Sequence, residues 1–141
     1  VKNKNSSVER KKPWTTGLIE AIIAVEYITK QKLETKNRIA LTILDSALEI
    51  AFKEFLVNDS GAYYTNSQLL TIFQSRHKVV EEVKRYIIDI PDDNWKKIKH
   101  YYDLRCKLVH ERATVNITDT QLKDQRQLVE QILRRLFKLK F

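Results

Sequence analysis

Glycine and proline are scarce in this chain, and their scarcity limits what the chain can fold into. The 141 residues include only 2 glycines and 2 prolines. Sandwiches and barrels of β-strands need many tight turns, and these two residues supply most of the backbone conformations that such turns require. Long helices need far fewer turns. The sequence therefore predicts an all-α fold.

Apolar residues recur every three or four positions along most of the chain, as in helices that pack on one core. The pattern predicts a bundle of about five helices, at 17–33, at 38–57, in a third region that can break near Ser75, after Pro91, and from the Thr118 to Gln121 capping box onwards. Residues 1–16 are polar and basic, and we expect them to form a linker or tail. Residues 17–141 then form one domain. The first residue is Val1 and the chain has no methionine, so we expect further domains of a longer parent protein before it.

The charge balance favours an anionic partner. Lysine and arginine number 26 against 18 acidic residues, which gives a net charge of +8 and suggests nucleic acid. Cys106 is the only cysteine, so an intramolecular disulfide is excluded and a reducing cytoplasm is the simplest setting. The sequence has neither a run of about 18 apolar residues nor a signal-peptide pattern. We expect a soluble cytoplasmic protein with no membrane partner.

Cofactor chemistry is not indicated by any motif. The three histidines, His77, His100 and His110, and the single cysteine do not show the close spacing of metal ligands. With two glycines there is no phosphate-binding loop for a nucleotide cofactor. We therefore predict no metal and no cofactor, and we interpret His77 as an ordinary exposed histidine.

The best candidate chemistry lies in the segment 101–111, where four residues separate Arg105 from His110. Three apolar residues lie between or beside the two, namely Leu104, Leu108 and Val109. An arginine can fork onto phosphate oxygens, and a histidine can exchange a proton near neutral pH. Together they can cleave a phosphodiester. On one helix, however, the two side chains point about 140° apart. Either the arginine swings round, or the helix ends near His110, or two copies share one cleft across a dimer, which we favour.

An acidic stripe on the predicted second helix allows two interpretations. Asp45, Glu49 and Lys53 follow one another at steps of four residues. The simpler interpretation is a solvated face stabilised by a Glu49 to Lys53 pair worth a few tenths of a kcal/mol. In the other, Asp45 or Glu49 lies beside Arg105 or His110 and orients it.

Residues 102–111 resemble the R-x4-6-H signature of the HEPN superfamily, and the likeness covers roughly residues 17–141. Residues 47–56 are similar to the helix with an internal glutamate and lysine that many HEPN domains place before this motif. The resemblance implies a HEPN-like helical bundle that forms a homodimer, with Arg105 and His110 of both copies lining a basic cleft. It also implies metal-independent cleavage of RNA, in which His110 assists proton transfer and Arg105 holds the scissile phosphate. Such proteins often serve in antiviral defence or toxin-antitoxin pairs.

Other residues of the segment have supporting or alternative roles. We expect Tyr102, Cys106, Lys107 and Glu111 to support the catalytic pair. Cys106 could instead act as a nucleophile with His110, although a lone cysteine on a helix is most often a small buried hydrophobe.

The alternative to a ribonuclease is a non-catalytic module for dimerisation or docking, or a basic adaptor that binds nucleic acid without cutting it. In that case Arg105 pairs with Asp103, Asp45 or Glu49, and His110 caps the carbonyls at the end of its helix.

Overall fold

A computed structural model describes residues 3–110 and 115–141 of this protein, and within these ranges the prediction of an all-α fold is confirmed. The described residues form seven α-helices and no β-strand: α1 (Ser6–Lys11), α2 (Thr15–Thr29), α3 (Lys36–Glu54), α4 (Asn66–Ile72), α5 (Arg76–Lys84), α6 (Asp92–His110) and α7 (Asp119–Phe137). The prediction of about five helices was too low for two reasons. The amino-terminal segment contains a helix, and the third helical region is divided into α4 and α5.

Side-chain caps explain where two of the helices, α5 and α7, begin. The Ser75 hydroxyl accepts a hydrogen bond of 3.2 Å from the backbone N–H of Lys78, which starts α5 after the break expected near Ser75. At the start of α7, the predicted capping box is confirmed, since Thr118 and Gln121 each bond the other's backbone N–H.

Helix α3 lies at the centre of the bundle, as its long apolar surface predicts. It packs against α2 and α7 and also contacts α5 and α6. Its side chains Leu41, Leu44, Leu48 and Phe52 are buried, and the Phe52 ring lies 5.8 Å from the ring of Trp95 on α6. The core therefore fixes α6 against α3, which sets the distance between groups on the two helices.

The amino-terminal segment differs from the expected basic tail. A 3-10 turn, Asn3–Asn5, precedes α1, and the buried Asn5 side chain bonds both backbone groups of Lys140 at 2.8 and 2.9 Å. The Trp14 ring contacts the ring of Phe137 edge-on at 6.4 Å. Periodicity could not indicate this docking, because its anchor is a polar amide that pairs with backbone at the other end of the chain.

None of the helices within residues 3–110 and 115–141 is both long and apolar enough to cross a bilayer.

Candidate functional site

Helix α6 places Arg105 on its buried side. Trp95, Ile98 and Tyr101 of this helix are buried, and Leu104 and Leu108 pack against the core. Arg105 follows Ile98 by seven residues and Tyr101 by four, so it projects from the same side of the helix. The guanidinium is thereby directed at α3 rather than into solvent.

Asp45 of α3 receives this guanidinium. The Asp45 side chain is only 2% exposed, and its Oδ2 accepts a hydrogen bond of 3.1 Å from Nε of Arg105. It also binds Arg76 of α5, whose Nη1 and Nη2 donate to Oδ1 and Oδ2 at 3.1 and 2.9 Å. The interpretation of Asp45 as part of a solvated face is therefore wrong. Asp45 lies beside Arg105, as the alternative interpretation required.

Glu49 lies one turn further along α3 and bonds a different arginine. Its Oε1 accepts from Nε of Arg76 at 3.3 Å, and its Oε2 lies 3.7 Å from the Lys53 ammonium. The predicted Glu49 to Lys53 pair is thus confirmed. The structure brings Glu49 into the same cluster as Arg105, but through Arg76.

Arg76 is the residue of this cluster that sequence reasoning missed, because it stands near Lys78, Lys84 and Arg85 and resembles part of an ordinary basic surface. Its side chain is 5% exposed. A signal was present in the sequence: Arg76 precedes the buried Val79 and Val83 by three and seven residues, which places it on the buried side of α5.

The ring of Tyr102 covers both guanidinium groups. It lies 4.5 Å from Cζ of Arg76 and 5.2 Å from Cζ of Arg105, within the range of cation–π attraction. The neighbouring Cys106 thiol, together with partial burial, raises the pKa of Tyr102 above its ordinary value. Tyr102 therefore stays protonated near neutral pH and supports the cluster as an aromatic surface.

Arg105 remains charged, and only some of its hydrogen-bond donors have a partner among the described residues. Burial acts to lower its pKa, but the Asp45 carboxylate more than offsets that effect, so the pKa is raised overall. Its side chain is 24% exposed, against 5% for Arg76. Only Nε of Arg105 makes a hydrogen bond with another described residue, so two Nη groups retain their donors.

His110 is the last residue of α6 and is exposed, as is Lys107. No described residue makes a hydrogen bond or an ion pair with its imidazole. Since α6 includes both Arg105 and His110, the two side chains of one chain project about 140° apart and do not share a face. Glu111 lies outside the described residues.

A second polar cluster joins α6 to α7. Asp124 accepts hydrogen bonds from Lys97 at 2.8 Å and from the hydroxyl of Tyr101 at 2.5 Å. The bond from Lys97, and then that from Tyr101, lower the pKa of Asp124. This cluster uses similar groups to those around Asp45, but nothing in the sequence had indicated a function for it.

The described ranges contain no group of three histidine, cysteine, aspartate or glutamate side chains that lie close enough together to hold a metal ion. In comparisons with known proteins, no family model, curated protein or solved structure matches this chain.

Proposed function

We propose that this chain is a HEPN-type endoribonuclease domain that cleaves RNA without a metal ion and works as a homodimer. The observation that carries the proposal is that Arg105 uses only one of its nitrogens to bond described residues. Asp45 holds its Nε at 3.1 Å while both Nη groups lack a described partner. A guanidinium oriented in this way can fork onto two phosphate oxygens with little further loss of side-chain freedom.

The proposed reaction uses the RNA's own 2′-hydroxyl as nucleophile. Its oxygen bonds to the adjacent phosphorus, the bond from phosphorus to the 5′ oxygen breaks, and the products end in a 2′,3′-cyclic phosphate and a 5′-hydroxyl. His110 takes the proton of the attacking 2′-hydroxyl or, when protonated, gives a proton to the leaving 5′ oxygen, and His110 of the second copy or a water molecule makes the other transfer. Arg105 stabilises the charge that develops on the phosphate oxygens.

A second copy of the chain would bring the two residues into one site. Arg105 of one copy and His110 of the other can then face the same cleft, so the 140° separation within one chain is no obstacle. Exposed apolar residues lie next to the cluster residues in sequence: Ile50 follows Glu49 and is 50% exposed, and Val109 precedes His110 and is 57% exposed. Contact with another copy would cover them.

The test is cleavage of labelled single-stranded RNA in EDTA by the purified dimer. We expect His110→Ala to lower the rate about 10²- to 10⁴-fold and Arg105→Ala about 10²- to 10³-fold. His100→Ala is the matched control, because it removes another exposed histidine of α6. Cleavage that survives in both site variants, or products without a cyclic phosphate, would contradict the proposal.

The second candidate function is a non-catalytic dimerisation or docking module. One observation favours it: Asp45 already supplies Arg105 with a counter-ion, so the fold accounts for this arginine without RNA. An intact dimer that cleaves no RNA, with or without Arg105 and His110, would support this alternative.

A further inference from the structure

A cleft of about 490 Å³ lies between α5 and α6, within the size range of small-molecule sites. Its apolar floor consists of Val80, Trp95, Ile98 and Tyr102. Val80 and Tyr102 are partly exposed, whereas Trp95 is 7% exposed and Ile98 is buried. The Lys84 ammonium lies 5.4 Å from the centre of the Trp95 ring, and most of the other lining side chains are also charged. A flat apolar body can therefore lie on the floor while charged groups remain at the mouth.

The cleft and the candidate site share a wall. Tyr102 and Arg76 line the cleft, and the Tyr102 ring also lies 5.2 Å from the Arg105 guanidinium. A molecule that fills the cleft therefore reaches within one side chain of the proposed phosphate-binding group. This proximity distinguishes the cleft from an unrelated surface groove.

The cations around the mouth are not all neutralised. Lys84 pairs with Glu81 at 3.3 Å and Lys99 pairs with Asp103 at 2.7 Å. Lys96, by contrast, is exposed and makes no ion pair with another described residue.

Two further titratable groups, His77 and Asp92, also line the cleft. Asp92 likewise has no described ion-pair partner, but it lies at the start of α6, ten residues before Tyr102. The unpaired acid, and Lys96 one helical turn after it, are thus at the end of the cleft away from Arg105. At the other end the guanidinium groups of Arg76 and Arg105 lie 4.5 and 5.2 Å from the Tyr102 ring, and this end favours an anion.

We propose that this cleft is a subsite for an unpaired nucleobase of single-stranded RNA. The base lies on the apolar floor, and the phosphate beside it is directed toward Tyr102 and Arg105. Aromatic surfaces beside cations are the usual means of holding single strands, whereas the bases of a duplex are stacked and inaccessible to such a cleft. That the polymer is RNA rests on the proposed function. That the cleft binds a base with an adjacent phosphate rests on the lining of the cleft alone.

The chain carries its own reporter for this subsite. It has two tryptophans, Trp14 and Trp95. Trp14 packs on Phe137 rather than in the cleft, so in a Trp14→Phe variant all tryptophan fluorescence comes from Trp95. The probe is an all-2′-deoxy hexanucleotide, which cannot be cleaved through a 2′-hydroxyl. We expect it to change Trp95 emission and to bind about tenfold more tightly than an abasic hexamer of equal charge. Equal affinity of the two hexamers, or no binding of either, would overturn the proposal.

Two variant pairs show whether the base occupies this cleft. Val80→Phe fills the floor, while Ile88→Phe adds the same bulk at a residue that is 89% exposed and does not line the cleft. We expect the first to weaken hexamer binding about tenfold and the second to leave it unchanged. Lys96→Gln, compared with Lys32→Gln outside the cleft, repeats the test at an exposed position that tolerates substitution. Equal effects within both pairs would contradict the subsite.

Further measurements show whether the ligand is a strand or a single nucleotide, and whether the subsite and the ribonuclease activity stand or fall separately. A mononucleotide that binds as tightly as the hexamer would support the base site but overturn the RNA strand as its ligand. Base-dependent binding without cleavage of an RNA hexamer would support the subsite and contradict the ribonuclease. Cleavage with no preference for intact over abasic flanking positions would contradict the subsite alone.

Discussion

Two carboxylates bind side chains of α6 from different neighbouring helices, and they do so in different surroundings. Asp45 of α3 is 2% exposed and binds two guanidinium groups. Asp124 of α7 is 36% exposed and binds the Lys97 ammonium and the Tyr101 hydroxyl. A buried carboxylate depends on its partners for solvation, whereas an exposed one can use water. We therefore expect the Asp45 cluster to contribute much more to the stability of the fold than the Asp124 cluster.

The two clusters also differ in what they leave unused. In the Asp124 cluster one cation, Lys97, meets one carboxylate, and the Tyr101 hydroxyl donates a hydrogen bond to the same carboxylate. In the Asp45 cluster three cations, Arg76, Arg105 and Lys53, meet the two carboxylates of Asp45 and Glu49. The cations of this cluster therefore exceed its carboxylates by one among the described residues, and the two Nη groups of Arg105 have no hydrogen-bond partner there. The proposed binding of a phosphate would use this excess charge and these donors.

The largest effect is expected from removing the buried negative charge. Asp45→Asn keeps the shape of the side chain but leaves the buried guanidinium of Arg76 without its main counter-ion, which costs about 3–5 kcal/mol of unfolding free energy. Asp124→Asn breaks a pair that is largely in water and costs about 0–1 kcal/mol. Urea denaturation of both variants measures the difference. Equal losses would remove the distinction between the clusters.

Cleavage of RNA distinguishes the cations of the two clusters. Arg105→Ala removes the proposed phosphate donor and should lower the rate about 10²- to 10³-fold. Lys97→Ala removes a cation that bonds only Asp124 among the described residues, and we expect it to leave the rate unchanged. Single-turnover assays of the two variants, made after their oligomeric states have been compared, give the comparison. A similar loss in both variants would mean that the overall positive charge, and not Arg105, drives the reaction.

The stability of an Arg105 variant sharpens the same comparison. Arg105→Met loses one charge-assisted hydrogen bond at a side chain that is 24% exposed, while Arg76 continues to neutralise Asp45. We therefore expect a loss of about 1 kcal/mol in unfolding free energy. A loss as large as that of Asp45→Asn would show that Arg105 holds the fold. That result would favour the docking module over the ribonuclease.

Local patterns in the sequence were enough to predict most of the helical fold. Apolar periodicity located the central helix α3, the possible break near Ser75 coincides with the start of α5, and the capping box located the start of α7. These features depend on neighbours within one turn of helix. The amino-terminal segment could not be found in this way, because Asn5 is fixed by the backbone of Lys140, which is 135 positions away.

The candidate site was predictable only in part for a related reason. The position of Arg105 beside an apolar stripe indicated that it needed a partner, and Asp45 was one of the acids considered. The choice among Asp45, Glu49 and Asp103 depends on how α3 and α6 pack, which no single helix reveals. Arg76 was missed because a basic residue near a helix start resembles ordinary surface unless its spacing from buried neighbours is examined.

The smallest expected effect is the acid response of the exposed cluster. Hydrogen bonds from Lys97 and Tyr101 lower the pKa of Asp124 below its ordinary value of 3.8. A lowered pKa in the folded state means that the carboxylate adds stability above the unfolded pKa, and that this contribution is lost as the pH falls through the folded pKa. The unfolding free energy of the wild type should thus exceed that of Asp124→Asn by about 0–1 kcal/mol at neutral pH.

Urea midpoints of the wild type and of Asp124→Asn, measured near neutral pH and again well below pH 3.8, test this expectation. At the lower pH the carboxyl is protonated in both the folded and unfolded states, so the two proteins should become equally stable. A difference that persists in acid cannot come from the charge of Asp124. It would instead show that the hydrogen-bonded shape of this group supports the packing of α6 on α7, and the exposed cluster would then be structural in the same sense as the buried one.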